Sequence, residues 1–107
     1  MPQNFLAGDN GLSLRSLDDA MNILSSGLPG CIFTLEDVSP EFFDLRNGLA
    51  GEVFQKFVNY KFRVVFVLPP EHGLGERITE LAREHRNHPC VRFSTTLEEA
   101  EEWASGW

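Results

Sequence analysis

The chain has 107 residues, of which 42% are hydrophobic and 11% aromatic, and its formal net charge is −7. This composition predicts a single folded domain, residues 1–107, and excludes a disordered chain, because nine phenylalanines can build a core. The acidic charge disfavours nucleic acid and anionic membranes as partners. No apolar run approaches the roughly 20 residues of a membrane span, and residues 1–10 do not resemble a signal peptide.

The N-terminal third is predicted to hold a short strand, a helix and a second strand. Residues 4–7 are at most a short strand, and residues 8–11 form a turn. Ser16 is expected to cap a helix that ends at a Gly-x-Pro sequence. Residues 31–34 follow as a short buried strand. Apolar side chains recur at helical spacing in the first helix, at Leu14, Leu17, Met21 and Leu24.

Residues 48–60 are predicted to form a helix with one apolar and one polar side, preceded by a short helix that Pro40 opens. At about 100° per residue, the apolar side chains share one half of the circumference. They are Leu49, Ala50, Val53, Phe54, Phe57, Val58 and Tyr60. The polar half contains Gly48, Gly51, Glu52, Gln55, Lys56 and Asn59.

Residues 63–68, which are all apolar after Arg63, predict a strand that is covered on both faces, because the hydrophobic residues do not alternate with polar ones. Within it, Val65 and Val67 are expected on one side of a parallel sheet, and Val64 and Phe66 on the other. Two prolines end this strand. A helix from about Leu74 and an edge strand over residues 91–93 are predicted to follow, with five helical residues on one stripe: Leu74, Ile78, Leu81, Ala82 and His85.

The last helix is predicted from a capping box formed by Thr95 and Glu98. It should bury Leu97, Ala100 and either Trp103 or Ala104. Strands and helices then alternate along the whole chain. This order predicts an α/β fold with a mostly parallel sheet of about four strands and about four helices.

Residues 41–60, EFFDLRNGLAGEVFQKFVNY, resemble a family of small bacterial proteins that is defined as a domain of unknown function. Members of that family share a motif of the form EFFDL-x-x-GLAGE-x-x-QKF-x-NY. Weaker resemblance extends to residues 14–20 and 95–100. The resemblance implies a protein whose biological role is uncharacterised.

The layout also resembles a STAS domain, the module of sulphate transporters and anti-sigma factor antagonists. In such domains a strand leads through an Asp-containing turn into a helix, and many antagonists carry a phosphorylatable serine in that turn. The corresponding residues 44–48 here contain neither serine nor threonine. The resemblance therefore implies a STAS-like regulatory module without the usual serine switch.

Candidate catalytic, metal and cofactor sites are few. No acyl-transfer signature or phosphate-binding loop occurs, so no catalytic residue and no cofactor are predicted. His85, His88 and Cys90 invite a zinc interpretation, but a helix end at which histidine complements the dipole is favoured, and no metal is predicted. Cys31 and Cys90 are expected to be reduced, buried thiols of a cytoplasmic protein.

The sequence favours a non-enzymatic, cytoplasmic regulatory or protein-interaction module that binds a partner protein through the polar side of helix 48–60. The predicted contact residues are Asp44, Gly48, Gly51, Glu52, Gln55, Lys56 and Asn59. Asp44 has an alternative role as a helix cap, and Gly51 as a packing position inside the domain. The alternative function is small-molecule binding or catalysis in a pocket lined by Asp44, Glu52, Gln55, Lys56 and Asn59.

Overall fold

A computed structural model describes residues 4–107, so the first three residues of the segment compared with a signal peptide lie outside the described residues. The described chain contains three strands: β1 (Gly30–Phe33), β2 (Arg63–Val67) and β3 (Val91–Ser94). Its four α-helices are α1 (Leu17–Leu24), α2 (Leu49–Asn59), α3 (Glu76–Glu84) and α4 (Leu97–Ala104). Short 3-10 helices occupy Gly8–Asn10, Leu35–Asp37, Pro40–Phe43 and Leu45–Asn47.

The sheet is parallel throughout, with the order β1-β2-β3. The predicted central position of β2 is therefore confirmed. The expectation of about four strands is wrong, because the described residues form three. Near the N-terminus, Leu6 makes one parallel bridge to Ile32, whose N–H donates to the Phe5 carbonyl at 2.8 Å. A 3-10 helix starts two residues later at Gly8, so this pairing does not extend into a ladder.

The two faces of the sheet bury the side chains that the sequence predicts. Val64 and Phe66 belong to the core covered by α1, α2 and α3. Val65 and Val67 belong to a second, smaller cluster in which α4 contributes its alanines. In the described chain no helix is long and apolar enough to cross a membrane.

Two predicted helix faces differ from the observed ones. In α1 the buried positions are Ala20 and Ile23, whereas Met21 is 40% exposed. Helix α1 packs against α2, and Ala20 and Ile23 are its residues in the hydrophobic core. Val58 and Tyr60 were also expected on the buried side of α2, but they are 39% and 61% exposed, whereas Phe57 at the same end of the helix is fully buried. Val58 lies at the edge of the apolar arc, and Tyr60 follows the last residue of the helix.

The predicted boundaries of the last two helices also shift. Helix α3 begins at Glu76 rather than near Leu74. In α4 the cap is Thr96, whose side chain accepts a hydrogen bond from the Glu99 backbone N–H at 3.2 Å, one residue later than predicted. Consequently Leu97 is exposed, while Ala100 and Ala104 are buried and Trp103 is half-buried.

Candidate functional site

The outer face of α2 carries most of the contact residues that the sequence predicts. Gly51, Glu52, Gln55 and Asn59 are exposed, and Lys56 is half-buried. A side chain placed on Gly51 would meet no atom within 4 Å beyond its own helix neighbourhood. The alternative in which Gly51 packs against another part of the domain is therefore wrong.

The turn before α2 assigns local roles to Asp44 and to one residue that the sequence analysis did not single out. Asp44 caps the 3-10 helix after it, accepting hydrogen bonds from the backbone N–H of Arg46 at 3.2 Å and from its Nε at 2.9 Å. The N-cap of α2 is Gly48, which has no side chain, and Asn47 Oδ1 accepts a hydrogen bond from the N–H of the first helical residue, Leu49, at 2.9 Å. Gly48 has a φ of 76°, a conformation that favours glycine.

Electrostatics at this turn come mainly from one exposed pair. The hydrogen bonds from Arg46 lower the pKa of the Asp44 carboxyl, first through the side chain and then through the backbone. Asp44 therefore remains charged, but its carboxylate is already engaged by a neighbour. The predicted capping of helix 48–60 by Asp44 is wrong, because Asp44 caps the 3-10 helix that precedes α2.

The predicted polar residues do not converge on a concave pocket. Gln55 donates a hydrogen bond to Asn59 Oδ1 at 2.9 Å along the helix. Glu52 and Lys56 take part in neither of the two ion pairs of the described chain, which are Arg15–Asp19 and Arg46–Asp44. Two clefts of the described chain, one between α3 and α4 and one beside the N-terminal residues, are lined by other residues. The polar groups thus form an open surface.

Two apolar side chains that the sequence placed in the core enlarge this surface. Tyr60 follows directly after α2, and Val58 lies in its last turn. With Gly51, Glu52, Gln55, Lys56 and Asn59 they make up the surface that we call the α2 surface. Helical periodicity groups these two side chains with the core residues, so the sequence alone did not show that they are exposed.

Comparison with known proteins identifies the family of the chain. The profile of the domain of unknown function DUF4180 matches residues 9–104 of the chain. The chain belongs to this family. No curated protein and no solved structure matches it. The match covers all three strands and all four α-helices of the described chain, so the family shares this α/β domain as a whole.

The histidines near the end of α3 have structural hydrogen bonds. His85 follows the last helical residue, and its Nδ1 lies 2.9 Å from the Leu81 carbonyl oxygen, as expected for a histidine at a helix C-terminus. His88 Nδ1 accepts from the backbone N–H groups of Cys90 and Val91, both at 3.0 Å. Among the described residues, no group of three His, Cys, Asp or Glu side chains is arranged to hold a metal ion.

The cysteines occupy different environments, although both were expected to be buried. Both are free thiols, but Cys31 is buried in β1 whereas Cys90 is half-buried. Burial raises the pKa of the Cys31 thiol to about 12, and the nearby charge of Asp37 adds to the effect. Cys31 is thus an unreactive core residue. Cys90 lies just before β3, where part of its surface meets solvent.

A cleft of about 590 Å³ lies at the ends of β2 and β3, between α3 and α4. Sequence reasoning did not single out its cationic residues, Arg83, Arg86 and Arg92. One signal was present, because ligands of open parallel sheets bind beside the carboxyl ends of strands. Three arginines within ten residues of an acidic chain would have directed attention to this region.

Proposed function

We propose that this protein is a non-enzymatic, cytoplasmic regulatory module of bacterial origin that binds a partner protein through the α2 surface. The observation that carries the proposal is an exposed helix face with a gap at Gly51, bordered by polar groups and by Tyr60. The partner is another folded protein, because a helix face without a cavity suits a macromolecular surface better than a small molecule.

The chemistry of the α2 surface supports protein binding in two ways. At Gly51 the missing side chain lets another backbone approach the helix closely. Around it, Glu52 and Lys56 supply charges of both signs that are not engaged in an ion pair within the described chain. Tyr60, 61% exposed, supplies the aromatic contact that often dominates binding energy at protein interfaces.

The alternative function, a small-molecule or catalytic pocket at Asp44, Glu52, Gln55, Lys56 and Asn59, would require these side chains to converge. Their spread along an open helix face favours the partner protein instead. We also propose that this module is STAS-like, which the Asp-containing turn before α2 supports. Since residues 44–48 lack serine and threonine, we propose that regulation proceeds by binding without phosphorylation of this turn.

The test is affinity capture from the native host with a tagged chain at its natural level, read by mass spectrometry. The Gly51→Arg and Glu52→Lys variants should lose a protein that the unchanged chain retains. Gly51→Ala should keep that protein, and it should stabilise the fold by about 1 kcal/mol, because alanine is favoured over glycine inside a helix.

Matched controls separate this surface from general charge and bulk. Glu80→Lys makes the same charge change at an exposed position of α3, and Asn22→Arg places an arginine at an exposed position of α1. Both should retain the captured protein. If all four charged variants lose the same protein, or if none does, the α2 surface is not the binding site. If Gly51→Arg lowers the melting temperature sharply, the glycine serves the fold instead.

A further inference from the structure

The cleft at the ends of β2 and β3 combines an apolar floor with a concentration of positive charge. Val65 and Phe93 contribute apolar surface from the sheet, and Trp103 forms a wall on α4. Arg83 and Arg86 approach from α3 and the residues after it. Its volume of about 590 Å³ falls within the range of small-molecule sites.

The charge at the cleft is unusual for this chain. Nine basic residues are present against sixteen acidic ones, yet three arginines line this one cleft. In the described chain Arg83, Arg86 and Arg92 form no ion pair with a carboxylate. Glu99 also lines the cleft, and its carboxylate accepts a hydrogen bond from the Thr95 hydroxyl at 3.3 Å. The cleft therefore presents a positive field within an acidic protein.

Arg92 is held in place before any ligand arrives. Its Nε donates a hydrogen bond to the His88 carbonyl oxygen at 2.8 Å. Its guanidinium carbon lies 4.3 Å from the centre of the Trp103 ring, a cation–π contact. Neither contact needs the two terminal nitrogens, which can donate together to one oxyanion. A ligand therefore does not have to order the Arg92 side chain when it binds.

The loop after β2 forms a rigid wall of the same cleft. Two consecutive prolines, Pro69 and Pro70, restrict its backbone. His72 Nδ1 accepts a hydrogen bond from the Leu74 N–H at 2.8 Å, so its Nε2 carries the proton and donates to Thr79 Oγ1 at 2.9 Å. These bonds tie the loop to α3. The wall is therefore formed without a ligand.

We propose that this cleft binds a small organic anion, with an apolar body on the floor and a phosphate or carboxylate group at the arginines. Arginine binds phosphate and carboxylate groups alike through paired hydrogen bonds. The site lies beside the carboxyl ends of two parallel strands, the usual ligand position in open α/β sheets. It shares no residue with the α2 surface, so it is independent of the proposed partner binding.

The experiment is a titration of the ¹⁵N-labelled chain followed by nuclear magnetic resonance, with phenyl phosphate, benzoate, inorganic phosphate and neutral benzyl alcohol as probes. Phenyl phosphate or benzoate should shift the amides of residues 92–95 and the Trp103 indole. Benzyl alcohol, which lacks the charge, should bind at least tenfold more weakly, and inorganic phosphate, which lacks the apolar body, should also bind more weakly. The tighter of the two aromatic anions then identifies the anionic group.

Variants test whether the arginines of the cleft cause the binding. Arg83→Gln and Arg86→Gln should each weaken binding of the better anion roughly tenfold, the typical effect of one charge-assisted hydrogen bond. Arg77→Gln is the matched control, since Arg77 is exposed on the same helix but lies outside the cleft. Arg92→Lys keeps the charge but loses the planar fork, and it should also weaken binding.

Four results would overturn the proposal. They are no shift with either aromatic anion, equal binding of benzyl alcohol, an equal loss of affinity in Arg77→Gln, and shifts located on the α2 surface rather than in the cleft. Amide spectra of each variant without probe show whether its fold is intact. The α2 surface is tested separately by protein capture, so a negative result for one proposal does not contradict the other.

Discussion

The two faces of the sheet are built differently. On one face, Phe66 packs against four other phenylalanine rings with centroid separations of 5.1 to 5.8 Å, and three helices cover them. On the other face a single helix, α4, packs through Ala100 and Ala104 onto Val65 and Val67. The face covered by three helices is thick and is built on phenylalanine rings. The other face is thin: aliphatic side chains form its centre, and Phe5, Trp103 and Trp107 pack around them.

This difference explains where the cavities form. A helix is about 10 Å across, and three strands spaced about 4.8 Å apart are wider than that. One helix therefore cannot cover the whole thin face, and open space remains on both sides of α4. A cleft of about 690 Å³ beside α4 is lined by Ile32 of the sheet and by Glu101 and Ala104 of the helix. The cleft with the arginines opens at the ends of β2 and β3, where Trp103 of α4 and residues of α3 both line it.

The largest expected effect comes from a charge between the sheet and α4. Val65→Asp should unfold the domain, because an unpaired buried carboxylate costs more than the few kcal/mol by which such domains are stable. Val58→Asp, the same change at a 39% exposed position, should leave the domain folded. Circular dichroism during heating measures both. A Val65→Asp protein with the melting temperature of the original chain would show that the thin face is not a core.

Substitutions at Phe66 and at Ala100 should destabilise the two faces of the sheet through different mechanisms. Phe66→Ala should destabilise the chain by about 3–5 kcal/mol through the cavity that it leaves. Ala100→Leu should destabilise it by about 1–3 kcal/mol through overpacking, since Ala100 is fully buried under α4. Urea unfolding gives both values. If Ala100→Leu stabilises the chain, α4 is not packed closely on the sheet, and the comparison of the faces fails.

The cysteines give a kinetic measure of burial. Cys31 lies in the thick core, and its thiol pKa is raised to about 12, so it should react with a thiol reagent only when the chain opens. Cys90 is half-buried and should react roughly a hundredfold faster or more, as expected for local opening. Labelling of the native chain at neutral pH, followed by mass spectrometry, gives the two rates. Equal rates would contradict this assignment of burial.

The smallest expected effect is a dependence of stability on pH at His88. Burial, followed by the positive charges of His85 and Arg92, lowers the pKa of His88 from its usual value of 6.5. The folded state therefore binds this proton less readily, so its contribution to stability is full above pH 6.5 and is lost as the pH falls through the folded pKa. Protonation of Nδ1 would also remove the acceptor for the Cys90 and Val91 N–H groups.

A variant without this titration provides the comparison. His88→Asn keeps a side-chain acceptor but cannot gain a proton in this range. Urea unfolding at pH 7.5 and pH 5 should show a larger loss of stability for the original chain than for His88→Asn. Equal losses would mean that His88 does not contribute to the pH dependence.

The local sequence pattern was sufficient to predict an element where its residues favour a single structure. The unbroken apolar run over residues 64–68 identified the central strand, because a short run of β-branched and aromatic residues that ends at two prolines is typical of a strand covered on both faces. Ser16 marked the start of α1, where its side chain accepts from the Asp19 N–H. The polar side of α2 was likewise predicted, since helical periodicity separates Gly51 and Gln55 from the core.

Tertiary structure decided what periodicity leaves open. Tyr60 fits the apolar arc of α2 but is exposed, because burial depends on where neighbouring elements end. Arg83, Arg92 and Trp103 lie on three different elements, and they meet only because parallel β2 and β3 bring α3 and α4 to one end of the sheet. The spacing of these residues along the sequence does not show that they lie close together in space. The sequence by itself therefore located the three strands and four α-helices to within a few residues, and their packing alone decided which side chains share a cleft.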